Sequence, residues 1–154
     1  MEFGVIPRVL IVDDNPDDVE LTRIAFEEAG VEVHLDVTED GSDALDFLWQ
    51  VEPKGIQPRP DLILLDLNLP KVDGRDVLKA IKAEEDLALI PVIVLSTSTD
   101  GEDIRYVYRH HAASFIVKPI VFDHFVETMK ALSDFWFTAA RLPPSVDTYD
   151  PYAL

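Results

Sequence analysis

The stretch Asp61-Leu-Ile-Leu-Leu-Asp66-Leu-Asn-Leu-Pro70 constrains the fold more than any other part of the chain. Four consecutive apolar residues, Leu62 to Leu65, run straight into an acid, and a proline follows. An apolar run this short, bounded by turn formers, reads as a strand buried on both faces of a parallel sheet. In open α/β sheets ligands collect outside the carboxyl ends of the strands, which is where Asp66 falls.

Other segments repeat the theme. Arg8 to Val12 and Pro91 to Leu95 are further buried-strand patterns, and Ser114 to Val117 is a fifth strand closed by Lys118-Pro119. Val31 to Val37 alternates apolar and polar residues, as a strand with one exposed face does. Helices lie between them. Asn15-Pro16-Asp17-Asp18 combines an N-cap, a proline at the first helical position and acids that suit the helix dipole, and Gly30 supplies the stop. Asp40-Gly41 opens a second helix, Val77, Leu78 and Ile81 mark a third, and Thr99-Asp-Gly-Glu102 has the form of a capping box for a fourth. The last helix spans about 122–140, with Phe122, Phe125, Val126, Met129, Leu132 and Trp136 at helical spacing. Strand and helix alternate five times, which predicts a doubly wound α/β parallel sheet. Between Val51 and Pro60 lies a proline-rich loop longer than the usual length of about 4–6 residues.

Composition narrows the function. At 154 residues one domain with its own core is expected. Thirteen basic residues against thirty acidic ones give a net charge of −17, which argues against a nucleic-acid surface. No apolar run approaches the roughly 18 residues of a membrane span, and the N-terminus lacks the form of a secretion signal. There is no cysteine, so disulfides and thiolate metal sites are excluded and a cytoplasmic location is expected.

In a parallel sheet, Asp13-Asp14, Asp66, Ser96-Thr97 and Lys118 gather at one edge. Three carboxylates there repel one another unless a divalent cation relieves them, and an all-oxygen donor set favours Mg2+. A carboxylate can attack phosphorus to give an aspartyl phosphate, with Lys118 and a serine hydroxyl holding the phosphoryl oxygens.

These residues resemble the receiver domain of bacterial two-component response regulators. The resemblance covers about residues 8–140 and rests on Asp13-Asp14, on Asp66 with Asn68-Leu-Pro70 and Gly74, on Ser96 thirty residues later, and on Lys118-Pro119 fifty-two residues later. It implies a flavodoxin-like sheet of five parallel strands in order 2-1-3-4-5 with five helices. It implies phosphoryl transfer from a sensor histidine kinase to Asp66, and Mg2+ held by Asp14, Asp66 and the backbone carbonyl of Asn68, with Asp13 acting through water. Ser96 and Lys118 would contact the phosphoryl group, and the Lys118–Pro119 bond is expected cis. The family's switch couples the Ser96 hydroxyl to an aromatic residue, here Phe115, which lacks the hydroxyl of the commoner tyrosine. His111 stands where the family usually has glycine, and histidine tolerates a left-handed backbone better than most residues.

The long loop and the tail pattern Phe135-Trp136-Phe137 with Leu142-Pro143-Pro144 are similar to single-domain regulators paired with phytochromes. The expected organisation is a receiver over residues 1–140, with its core at 8–134, followed by a tail at 141–154. No output domain is expected in the remainder. Three consecutive aromatic residues spread around a helix, so self-association through Phe135, Trp136 and Phe137 is expected to give a homodimer.

Rival readings make different demands. An aspartyl-nucleophile Mg2+ phosphohydrolase of the haloacid-dehalogenase type needs an acid two residues after the nucleophile, where this chain has Asn68. A Rossmann-type nucleotide binder needs a G-x-G-x-x-G after a strand, which the chain lacks. A receiver-like module that is never phosphorylated usually loses an acid or the lysine, and all are present.

Overall fold

The computed structural model describes residues 6–144. Five parallel strands, β1 (Arg8–Val12), β2 (His34–Thr38), β3 (Leu62–Leu65), β4 (Val92–Ser96) and β5 (Ser114–Val117), form one sheet in the order β2-β1-β3-β4-β5. The helices between and after them are α1 (Pro16–Glu28), α2 (Gly41–Leu48), α3 (Gly74–Ala83), α4 (Gly101–Arg109) and α5 (Phe122–Asp134).

Strand periodicity accounts for the apolar runs. Leu10, Val12, Ile63, Leu65, Val92 and Val94 point to one face and pack with Ala44, Leu48, Val77, Leu78, Ile81 and Val107 of α2, α3 and α4. Val9, Ile11, Leu62, Leu64, Ile93 and Leu95 point to the other face and meet Ala25, Phe26, Phe125, Met129 and Leu132 of α1 and α5. All four residues of β3 are buried because β3 has helices on both sides and a strand on each edge. β2, at the sheet edge, is only partly buried.

Helix ends set where strands begin. Asn15 caps α1 by accepting from the Asp17 and Asp18 N–H groups, with Pro16 at the first helical position. At its other end Gly30 adopts φ +75°, with Gly30 N–H donating to Glu27 O and Val31 N–H to Phe26 O. This reversal occupies Val31, so β2 begins at His34, three residues later than the alternation predicts. Val31, Val33 and Leu35 nevertheless face the α1/α5 core as their alternation requires.

At the end of α4, His111 takes φ +67° and the same pair of bonds recurs: His111 N–H to Tyr108 O and Ala112 N–H to Val107 O. A histidine here does what Gly30 does after α1. The start of α4 differs from the expected capping box: Asp100 is the cap, accepting from the Glu102 N–H at 2.9 Å. Aspartate reaches the free N–H groups of the first turn as well as threonine does, and it sits one residue closer.

The loop after α2 is not loose. Val51 is buried in the core, and backbone bonds Glu52 N–H to Gln57 O and Gln57 N–H to Gln50 O fold the segment back on itself. Arg59 donates to the carbonyls of Pro143 and Pro144, tying this loop to the chain beyond the last helix.

That helix continues past α5 as a π-helical turn, Phe135–Ala139, closed by Ala140 N–H to Phe135 O at 2.7 Å. The turn separates the three aromatic residues. Phe135 is exposed, Trp136 packs partly on the α1/α5 core, and Phe137 is buried in that core. Phe137 is therefore a core residue rather than the surface contact expected of it. The expected tail falls largely in 145–154, outside the described residues. No helix among the described residues is long and apolar enough to cross a membrane.

Candidate functional site at the carboxyl edge of the sheet

Asp13 follows β1, Asp66 follows β3, Ser96 ends β4 and Lys118 follows β5, so the parallel sheet delivers all four to one edge. Asp13 is buried, and its Oδ1 accepts the Asn15 N–H at 3.0 Å. Burial pushes the Asp13 carboxyl above the usual carboxylate range, against the downward pull of that N–H and of Lys118. Carboxylate oxygens of Asp13, Asp14 and Asp66 all lie within 4.8 Å of one another, with Asp14 exposed and Asp66 half-buried. Three acids this close, one of them buried, form an oxygen-only pocket suited to a hard divalent cation.

Lys118 is the counter-charge. Its Nζ donates to Asp13 Oδ2 at 2.9 Å, Asp66 Oδ2 at 3.1 Å and Asp18 Oδ2 at 2.9 Å. Burial alone would lower its pKa, but the hydrogen bonds it donates to Asp18 and Asp13 and the nearby carboxylate charges hold it above the ordinary lysine range. The Lys118 N–H also donates to Ser96 O at 2.7 Å, which fixes the lysine to the end of β4. The Lys118–Pro119 bond is not cis, contrary to expectation; the cis X–Pro bond found among the described residues is Glu52–Pro53. The trans isomer is the ordinary one for X–Pro, and with it Lys118 already reaches all three carboxylates.

The loop after Asp66 passes close to its own backbone. Asn68 N–H lies 3.4 Å from Asp66 Oδ1, Lys71 takes φ +67°, and Gly74 N–H donates to Leu67 O at 2.8 Å. A Cβ at Gly74 would fall 2.2 Å from the Asp66 carbonyl oxygen, so only glycine allows α3 to start this near the acid.

Ser96 is wholly buried and its Oγ accepts the Ser98 N–H at 3.1 Å, whereas Thr97 is exposed. Phe115 pairs with Val94 and Val117 with Ser96. Strand alternation thus puts the Phe115 ring on the same sheet face as Ser96, one step back. The ring is half-buried against the α2/α3/α4 core, and the Phe115 N–H donates to the Tyr108 hydroxyl at 3.2 Å.

Two features were not read from the sequence. Asp18 was seen only as an acid in a first helical turn, yet it binds Lys118 as closely as Asp13 does. Beyond Ser96, the Ser98 hydroxyl donates to Asp103 Oδ2 at 2.8 Å, Asp103 pairs with Arg75, and Arg75 pairs with Asp73, the cap of α3. Arg75 and Ser98 hold the Asp103 carboxyl below the usual carboxylate range. Nothing in the spacing of these residues marks them as partners, because α3 and α4 meet only through the fold.

The model of the response regulator receiver domain matches residues 9–130. A probable methanogenesis regulatory protein, FilR2 of Methanothrix harundinacea, is 39% identical over 135 residues, 88% of this chain and 86% of its own length. The response regulator Rcp1 of Synechocystis is 36% identical over 135 residues, 88% of this chain and 92% of its own length. The crystal structure of the phosphorylated cyanobacterial phytochrome response regulator RcpA superposes with a TM-score of 0.84 at 38% identity, covering 91% of this chain and 100% of that one. Strand order, the clustered strand-end residues and these matches agree: the chain belongs to the response regulator receiver domains of two-component signalling and is related to the phytochrome response regulators.

Proposed function

We propose that the chain is a response regulator receiver whose Asp66 accepts a phosphoryl group from a sensor histidine kinase in the cytoplasm. The observation that carries this reading is the Lys118 ammonium held against Asp66 beside the three-carboxylate pocket. An Asp66 oxygen attacks phosphorus of the kinase phosphohistidine, the P–N bond breaks, and the imidazole leaves with the electron pair. The resulting charge on the phosphoryl oxygens falls to the Lys118 ammonium and the Ser96 hydroxyl.

Asp14, Asp66 and the Asn68 carbonyl would hold Mg2+, with Asp13 acting through water; the all-oxygen donor set suits it. Bound there, the ion neutralises the acids and the incoming phosphoryl charge. Rcp1, 36% identical in its solved structure, was crystallised in an Mn2+-bound form, and RcpA was crystallised phosphorylated; both support the reading.

Output follows from the Ser96–Phe115 pair. A phosphoryl oxygen draws the Ser96 hydroxyl away from the Ser98 N–H, and Phe115 turns inward on the same sheet face. The likeness to the cyanobacterial phytochrome response regulator RcpA favours a phytochrome as the kinase. Self-association would use Phe135 and Trp136 at the end of the last helix.

The test is phosphotransfer from a panel of purified, labelled histidine kinases that includes a phytochrome. The label is expected to move rapidly from one kinase to the wild-type chain and not to Asp66→Asn. Transfer to Asp66→Asn at the wild-type rate would refute the assignment.

A further inference from the structure

A lysine ammonium has three donors, and those of Lys118 are matched by three carboxylates: Asp13, Asp18 and Asp66. A phosphoryl group on Asp66 brings new acceptors to an ammonium with no donor to spare. One carboxylate must then let go.

The three differ in what release would cost. The Asp13 side chain is 7% exposed and fixed by the Asn15 N–H through its other oxygen, so releasing it leaves a buried charge without its counter-charge. Asp66 carries the phosphoryl group itself. Asp18 lies in the first turn of α1, its side chain 32% exposed, where water can replace the lysine at small cost. Asp18 is also outside the trio of carboxylates that converge within 4.8 Å, so its role is toward the lysine.

We propose that Asp18 is a positioning residue that occupies the Lys118 donor a phosphoryl oxygen takes over. In the resting chain it steadies the ammonium at the mouth of the acid pocket. During phosphorylation it is the partner displaced. The proposal rests on the reading of Asp66 as phosphoacceptor.

Two effects of removing the Asp18 charge act in the same direction. Lys118 keeps Asp13 and Asp66, so it stays at the site, and a neutral amide oxygen at position 18 holds the third donor less strongly than a carboxylate does. An anionic phosphodonor also meets one negative charge fewer. Asp18 and Asp66 oxygens touch the same nitrogen, so that charge lies well inside the Debye length of about 10 Å at 0.1 M salt.

The experiment measures the rate of modification at Asp66 by acetyl phosphate with Mg2+, by intact mass and peptide mapping, at several salt concentrations. Wild type is compared with Asp18→Asn, Asp18→Glu and Asp17→Asn, the last removing a neighbouring exposed charge. Asp18→Asn is expected to react about fivefold faster at low salt, with the advantage shrinking as salt rises. Asp18→Glu and Asp17→Asn should stay within about twofold of wild type, since one keeps the charge and the other removes a more distant one. Asp18→Asn reacting no faster than wild type at any salt, or Asp17→Asn giving an equal gain, would overturn the proposal. Absence of modification at Asp66 in wild type would instead overturn the phosphoacceptor reading beneath it, so the two failures are distinguishable. Circular dichroism on each variant confirms that the rates compare folded chains.

Discussion

At the scale of single residues, the site is a cluster of like charges held together by one lysine. For Asp13, desolvation outweighs the pull of the Asn15 N–H and Lys118, and burial pushes its carboxyl up. Asp13→Asn removes a buried charge while keeping an acceptor for the Asn15 N–H. Its metal-free form should be more stable than wild type by about 1 kcal/mol in urea unfolding, while losing part of the stabilisation that added Mg2+ gives. Equal or lower stability would mean that the Lys118 contact outweighs the desolvation. The acids and the lysine were legible because each stands at the end of an apolar run. Asp18 was not, because a helical first turn is reason enough for an acid and its partner is 100 residues away.

At the scale of elements, α4 and its flanking loops carry the chain's most individual features. His111 holds a left-handed backbone that glycine holds more cheaply. His111→Gly should therefore raise stability by about 0.5–1 kcal/mol, read as a higher urea midpoint with unchanged slope. The Asp103–Arg75 pair joins α4 to α3 and, through Ser98, to the loop after Ser96. The Asp103 pKa is depressed in the folded chain, so its contribution is present above the unfolded value near 3.8 and is lost as pH falls through the folded value. Asp103→Asn should cost about 1 kcal/mol at neutral pH and flatten the acid limb of stability below about pH 4, where wild type loses the same amount. An acid limb identical in both would show that the pair contributes nothing net.

Boundaries rather than elements were where the sequence was hardest to read. Gly30 announced a helix stop, but the bonds that complete the stop delayed β2 to His34. Thr99 and Glu102 had capping-box spacing, but Asp100 between them competed and won. Phe137 looked like a surface aromatic on an ideal helix. The π-helical turn that rotates it into the core leaves no mark in residue spacing.

At the scale of the whole molecule, one sheet separates two cores. The strand patterns made this architecture readable, since a run buried on both faces requires helices on both. The strand order came from the family resemblance, and the sheet agrees with it. Among the last aromatic residues, Phe135 and Trp136 keep exposed surface while Phe137 does not. If the proposed self-association occurs through this surface, Trp136→Ala should weaken it in sedimentation by at least about tenfold in dissociation constant, as loss of an aromatic anchor does. An unchanged sedimentation coefficient would remove the end of the last helix from any interface.

The most direct measurement is the intact mass of wild type and Asp66→Asn after incubation with a small phosphodonor, with and without Mg2+. The account predicts one added phosphoryl group on wild type, dependent on the metal and lost on hydrolysis, and none on Asp66→Asn. The same metal-dependent addition to both proteins would contradict it.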